Sequence, residues 1–96
     1  MKVKWSPRAF SEVDQLLAYL ITTWNKPVAD NFLNKIEATI QLIKKQPLLY
    51  PATETHKNVR RCVLSKHASL YYRVKPDTIE IITLFDTRQH PEKKKL

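Results

Sequence analysis

The chain has 96 residues and carries 17 Lys/Arg against nine Asp/Glu, a formal charge of +8. That length fits a single domain over residues 1–96, the 43% apolar content excludes a wholly disordered chain, and no apolar run approaches the roughly 18 residues of a membrane span. Glycine is absent, which excludes phosphate-cradling loops of the GxxxxGK and GxGxxG types, and the lone Cys62 excludes an intrachain disulfide.

Lys2 to Trp5 alternates polar and apolar residues and reads as a strand. It lacks the continuous apolar core of a signal peptide, so a cytoplasmic location is expected. Ser6-Pro7 is a helix start, a capping hydroxyl followed by a proline at the first helical position. Phe10, Val13, Leu16, Leu17, Leu20, Ile21 and Trp24 then recur every three or four residues and predict one buried stripe. Arg8, Glu12, Gln15 and Thr22 are expected on the opposite, solvated face.

Asn25-Lys26-Pro27 ends the first helix and Pro27 opens a second, striped by Val28, Phe32, Ile36, Ile40 and Ile43. Asp30 near its start and Lys44, Lys45 near its end suit the macrodipole. So short a connection predicts an antiparallel helical hairpin. Pro47 to Pro51 (PLLYP) is a loop that folds back over the core, and the polar stretch 52–58 is expected to be mobile.

Three strands follow. Val59 to Ser65 is the first, and Lys66-His67-Ala68 gives a turn. In the second, Leu70, Tyr72 and Val74 alternate with Tyr71, Arg73 and Lys75, which leaves Tyr71 exposed on the outer face. Pro76-Asp77 turns the chain into Ile79 to Phe85, whose nearly continuous apolar run predicts a central strand covered on both faces. The expected fold is α+β: an N-terminal strand, an antiparallel helical hairpin, then a three-stranded antiparallel meander, forming one mixed sheet.

Charge is unevenly placed. Between Glu54 and Asp77 there is no carboxylate but six cations, Lys57, Arg60, Arg61, Lys66, Arg73 and Lys75. With one face covered by the helices, the arginines of the other face predict an anionic partner, nucleic acid or an acidic protein segment. Arg60, Lys66 and Arg73, with Lys93 and Lys94 of the tail, are the candidate anion- or partner-binding residues. His56, His67 and His90 lack the spacing of metal ligands, so no metal and no cofactor is expected.

The order of elements, with the segments VKWSPRAFSEVDQLLAYL, PLLYP, NVRRCVL, SLYYRV and IEIITLFDTRQHP, resembles the RelE/ParE superfamily of bacterial type II toxins. The resemblance implies a compact toxin silenced by a tightly bound, usually acidic cognate antitoxin, in a hetero-oligomer. It implies one of two targets, the ribosome and its mRNA for RelE-like members or DNA gyrase for ParE-like members. The antitoxin is expected to lay apolar residues beside the helical hairpin and carboxylates against the arginines.

Metal-free RNA cleavage needs help for 2′-hydroxyl attack, a stabiliser of the phosphorane and an acid for the leaving oxygen. RelE-like members use a Lys-x-Lys pair in the first strand of the meander, an Arg opening the second, an Arg ending the third and a C-terminal Tyr or His. Those places fall on Arg60, Cys62, Ser69, Arg88 and the neighbourhood of Lys94, with His90 as a candidate acid. A shift at the Lys66–Ala68 turn would bring Arg61 into the catalytic place. Arg61, Arg88 and His90 are thus the candidate set for a nuclease, while the missing lysines favour the ParE-like branch, a gyrase inhibitor that is not an enzyme.

Overall fold

The computed structural model describes residues 1–87. Strand β1 (Lys2–Trp5) leads into helices α1 (Pro7–Thr23) and α2 (Lys26–Lys45), then strands β2 (Val59–Val63), β3 (Ala68–Val74) and β4 (Thr78–Asp86). The sheet order is β1-β4-β3-β2, with β1 parallel to β4 and the meander antiparallel. The expected α+β class, hairpin and mixed sheet are all present.

Both helices are capped as their sequences dictate. The Ser6 hydroxyl accepts from the Ala9 N–H at 2.9 Å, and the Asn25 side chain accepts from the Val28 N–H at 3.0 Å. In a chain without glycine, Asn58 takes the left-handed conformation before β2 at φ 62°. Residues 52–58, expected to be mobile, are instead tied to the edge of β2. Thr53 N–H donates to Val59 C=O at 2.7 Å, Arg61 N–H donates to Pro51 C=O at 3.0 Å, and Ala52 bridges to Arg60.

The buried stripe of α1 is rotated from the expected one. Ala9, Leu16 and Leu20 are buried, whereas Phe10, Ile21 and Trp24 are exposed. In α2 the core positions are Ala29, Ile36, Ile40 and Ile43, and Val28 stays partly in solvent. Across the sheet these meet Cys62, Leu70, Tyr72, Ile79, Ile81 and Leu84.

The rotation has a cause in β4. Its pairing with β3 jumps from Tyr71↔Thr83 to Tyr72↔Ile81, so Ile82 is an extra, bulged residue. This explains the unbroken apolar run: Ile79, Ile81 and Leu84 face the helices across the bulge, while Ile82 and Phe85 stay only half-buried, so β4 is central but not covered on both faces. β1 pairs only with Thr78–Ile81, so among the described residues no strand pairs with the second half of that edge of β4. The start of α1 covers it. Ser6 O–H donates to Ile82 C=O at 2.7 Å, and Glu12 accepts from Thr83 O–H at 2.5 Å and from Leu84 N–H at 3.2 Å. Ser6, Ala9, Glu12, Leu16 and Leu20 lie at helical spacing along one side of α1, so Glu12, expected in solvent, faces the sheet edge.

Removing this carboxylate would leave a partly buried strand N–H without a partner, so Glu12→Ala is expected to cost about 2–3 kcal/mol. The exposed Lys26–Asp30 pair is the control, and Asp30→Ala should change stability by less than about 0.5 kcal/mol. Urea unfolding of both variants decides it; equal losses would mean that Glu12 contributes only as surface charge.

Candidate anion-binding face of the sheet

Strand β2 sets the site through its alternation. Cys62 packs in the core, so its neighbours at i±2 point to the helices and those at i±1 to the open face. Arg60 therefore turns inward, towards the loop after α2. Its guanidinium donates to Tyr50 C=O at 2.7 Å and to Leu48 C=O at 3.4 Å. Beneath it, Tyr72 O–H donates to Pro47 C=O at 2.9 Å. Arg60 thus binds the PLLYP loop to the sheet. The i, i+2 pair that faces outward is Arg61 and Val63, as in the shifted alignment.

Arg61 is exposed and its Nε donates to Ser69 Oγ across the β2–β3 pair at 3.2 Å. The guanidinium shares a cavity of about 110 Å³ with Ser65, Lys66, His67, Ser69 and Thr87, and Val63 and Phe85 form its apolar side. Among the described residues no carboxylate lines it. The closure is local: Thr87 N–H donates to His67 C=O at 2.9 Å, and the Thr87 hydroxyl lies 3.4 Å from His67 Nδ1. Cations and hydroxyl donors around a volume of this size suit one tetrahedral oxyanion or carboxylate.

Of the sequence candidates, Arg61 and Lys66 come together here. Arg73 does not join them, because Glu80 holds it at 3.5 Å and Lys75 at 3.6 Å. Arg88 follows Thr87 in sequence, but Arg88, His90, Lys93 and Lys94 lie outside the described residues. Tyr71, expected to be exposed on the outer face, is instead only 2% exposed, so it offers no surface on which a base could stack. Sequence reasoning missed His67, Ser65 and Thr87 as cavity residues. Their signal was present in the turn Ser65–Ala68, which places its polar groups beside the last residues of β4.

On the helix side, burial pushes the Cys62 thiol above its ordinary 9.0, against the Tyr50 hydroxyl bond and Lys35, which lower it. Burial also raises Tyr50 and Tyr72 above 10.0, with Cys62 adding to both and Arg60 opposing the rise at Tyr72. The thiol is therefore a core group rather than a nucleophile.

The family described as the ParE toxin of the type II toxin–antitoxin system parDE matches residues 3–91. This chain belongs to that ParE toxin family. No curated relative matches it significantly. Its fold is similar to the chromosomal ParDE system of P. aeruginosa, with a TM-score of 0.77 at 18% identity over 90% of this chain and 95% of that one. It is also similar to a YoeB/ParE toxin from Agrobacterium tumefaciens, at 0.69 and 16% over 90% and 98% of the two chains. The E. coli DinJ–YafQ complex gives 0.63 and 14% over 92% and 94%. These likenesses establish the RelE/ParE fold and no more. As a type II toxin the ParE-family chain has a cognate antitoxin as its partner, and no helix of the described residues is long and apolar enough to cross a membrane.

The two arginines should separate cleanly. Arg60→Ala is expected to lower stability by about 1.5–3 kcal/mol with anion binding kept. Arg61→Ala should leave stability within about 0.5 kcal/mol but lower the salt slope of oligonucleotide binding by about 1. Urea unfolding and filter binding at several salt concentrations check both.

A second expectation concerns alkali. The folded state holds the Cys62, Tyr50 and Tyr72 protons more tightly than the unfolded chain. Their contribution is therefore complete below the ordinary thiol value of 9.0 and is lost as pH rises through the raised folded values. Denaturant midpoints should fall above that value, and Cys62→Ala should delay the onset of the fall.

Proposed function

We propose that this ParE-family toxin arrests growth in the cytoplasm by binding and inhibiting DNA gyrase, and that an acidic cognate antitoxin holds it silent. The observation that carries this reading is the outward pair of β2. Where RelE-like nucleases are expected to place two lysines, this chain presents Arg61 and Val63, and β3 begins Ala68-Ser69 with no arginine. An arginine fixes a phosphate or carboxylate but does not act as a base. The face is thus equipped to hold an anion and poorly equipped to move a proton. The exposed Val63 beside Arg61 gives it the mixed apolar and cationic character of a protein-binding surface.

A second reading, a ribosome-dependent mRNA endonuclease, is favoured by one observation. His67 lines the same cavity as Arg61. In that reading Arg61 holds the scissile phosphate and His67 takes the 2′-hydroxyl proton. Arg88 and His90, nominated by sequence for the remaining roles, lie outside the described residues.

Supercoiling by purified gyrase is expected to be blocked by excess toxin and restored by adding antitoxin. Undisturbed supercoiling, together with induced mRNA cuts that vanish in a His67→Gln variant, would replace the first reading with the second.

A further inference from the structure

Ser69 is a polar residue that the fold buries, at 7% exposure, on the open face of the sheet. Its register explains the burial. Ser69 lies opposite Val63 on β2 and opposite Phe85 on β4, so the hydroxyl sits in one row between two apolar side chains. A hydroxyl in that place needs a hydrogen-bond partner. Arg61 comes two residues before Val63 on β2 and points to the same face. It reaches Ser69 diagonally, and its Nε donates to Ser69 Oγ at 3.2 Å.

The bond ties an exposed side chain to a buried one. An exposed arginine samples many rotamers, and fixing one of them at the moment of binding costs entropy. Here a strand residue does the fixing in the free protein. The bond uses the single Nε–H and none of the N–H groups on the terminal nitrogens. Those groups form the fork that meets a phosphate or a carboxylate at two oxygens. Arg61 and Ser69 both line the cavity of about 110 Å³ beside the Ser65–Ala68 turn. Ser69 accepts through its oxygen and keeps its own proton to donate. A lysine in place of Arg61 could reach Ser69 only with the same nitrogen that meets the anion.

We propose that Ser69 is the positioning residue of this site. It holds the Arg61 guanidinium in the rotamer that presents the fork to the cavity, so that the site grips an oxyanion at two oxygens. Ser69 therefore governs how tightly the guanidinium binds, and not how many charges the face presents. The inference rests on the reading of this face as an anion site and is independent of the target that the face meets.

The test titrates the full chain with a short single-stranded DNA oligonucleotide at several salt concentrations. Ser69→Ala keeps every positive charge, so it is expected to weaken binding about tenfold with the salt slope unchanged, whereas loss of an ionic contact lowers the slope by about 1. In an Arg61→Lys background the same Ser69→Ala change should alter affinity by less than about twofold, because no Nε–H remains to be held. Ser69→Cys, similar in shape but a weak acceptor, is expected to repeat the loss and serves if the alanine variant does not fold. By NMR the Arg61 Nε–H signal, assigned through its loss in Arg61→Lys, should exchange with water more slowly in the parent chain than in either Ser69 variant. Urea unfolding and the fraction of chains that bind, measured for each variant, keep lost affinity apart from lost fold. A lowered slope in Ser69→Ala, an equal loss in the Arg61→Lys background, or equal Nε–H exchange would each overturn the proposal. Binding lost in Arg61→Ala but kept in Ser69→Ala would overturn the positioning role alone. Binding unchanged in Arg61→Ala would overturn the anion site, and the proposal with it.

Discussion

The fold depends on how the central strand β4 satisfies its second edge. β3 pairs with it along one side, but β1 is four residues long and reaches only to Ile81 on the other. Backbone groups beyond that point would be costly to bury without partners. The Ser6 hydroxyl and the Glu12 carboxylate, six residues apart, supply those partners at the Ile82 C=O and the Leu84 N–H, and Glu12 also accepts from the Thr83 hydroxyl. Once they are in place the rotation of α1 is no longer free. Ala9, with no side chain beyond Cβ, lies against the sheet between them, and Leu16 and Leu20 continue the same line into the core. The bulge at Ile82 belongs to the same arrangement, since it shifts the phase of β4 so that Leu84 follows Ile81 into the core.

Fixing α1 in this way has a consequence on its other flank. Rotation towards Ala9 and Glu12 carries Phe10 out of the core, and the residue becomes a wall of the cleft between the helices. The polar clamp on the sheet and the apolar groove on the hairpin are two results of one orientation. The loop after α2 is held by a similar device. Arg60 and the Tyr72 hydroxyl together bind the carbonyls of Pro47, Leu48 and Tyr50, polar groups that an apolar loop could not satisfy by itself. Two of the most conspicuous charged residues in the sequence, Glu12 and Arg60, thus serve the fold.

The remaining charges divide the surface into two regions of opposite character. On the sheet, Arg61 and Lys66 border a small cavity that no carboxylate of the described residues lines, and Glu80 pairs with Arg73 on β3 and with Lys75 just after it. On the hairpin, Asp14 and Glu37 border a larger apolar one. Regions of opposite sign give the two surfaces different electrostatic selection. The structural neighbours include both ParDE and YafQ proteins, and on this chain the open face of β2 carries a cation at Arg61 and an exposed apolar residue at Val63.

Much of this was legible in the sequence, because it is decided by local chemistry. Ser6-Pro7 and Asn25-Lys26-Pro27 place the helix starts through capping and the fixed φ of proline. The alternation in β3 and the Pro76-Asp77 turn give the meander, and the absence of glycine removes whole classes of phosphate site. What the sequence left open was the choice between neighbouring positions. In Arg60-Arg61-Cys62-Val63 both faces of the strand carry one arginine and one small apolar residue, so a one-residue change of phase is invisible to periodicity. Only the packing of Cys62 and Tyr72 under the helices determined that Arg60 binds a loop and Arg61 faces the cavity. Glu12 reads as solvated on a helical wheel, and only the shortness of β1 gives its carboxylate a strand edge to bind. The sequence by itself determined which elements form and in what order, since propensity, capping and turn chemistry act over a few residues. The tertiary structure decided which side of each element faces inward, since that depends on backbone groups and side chains brought together from positions up to 76 residues apart.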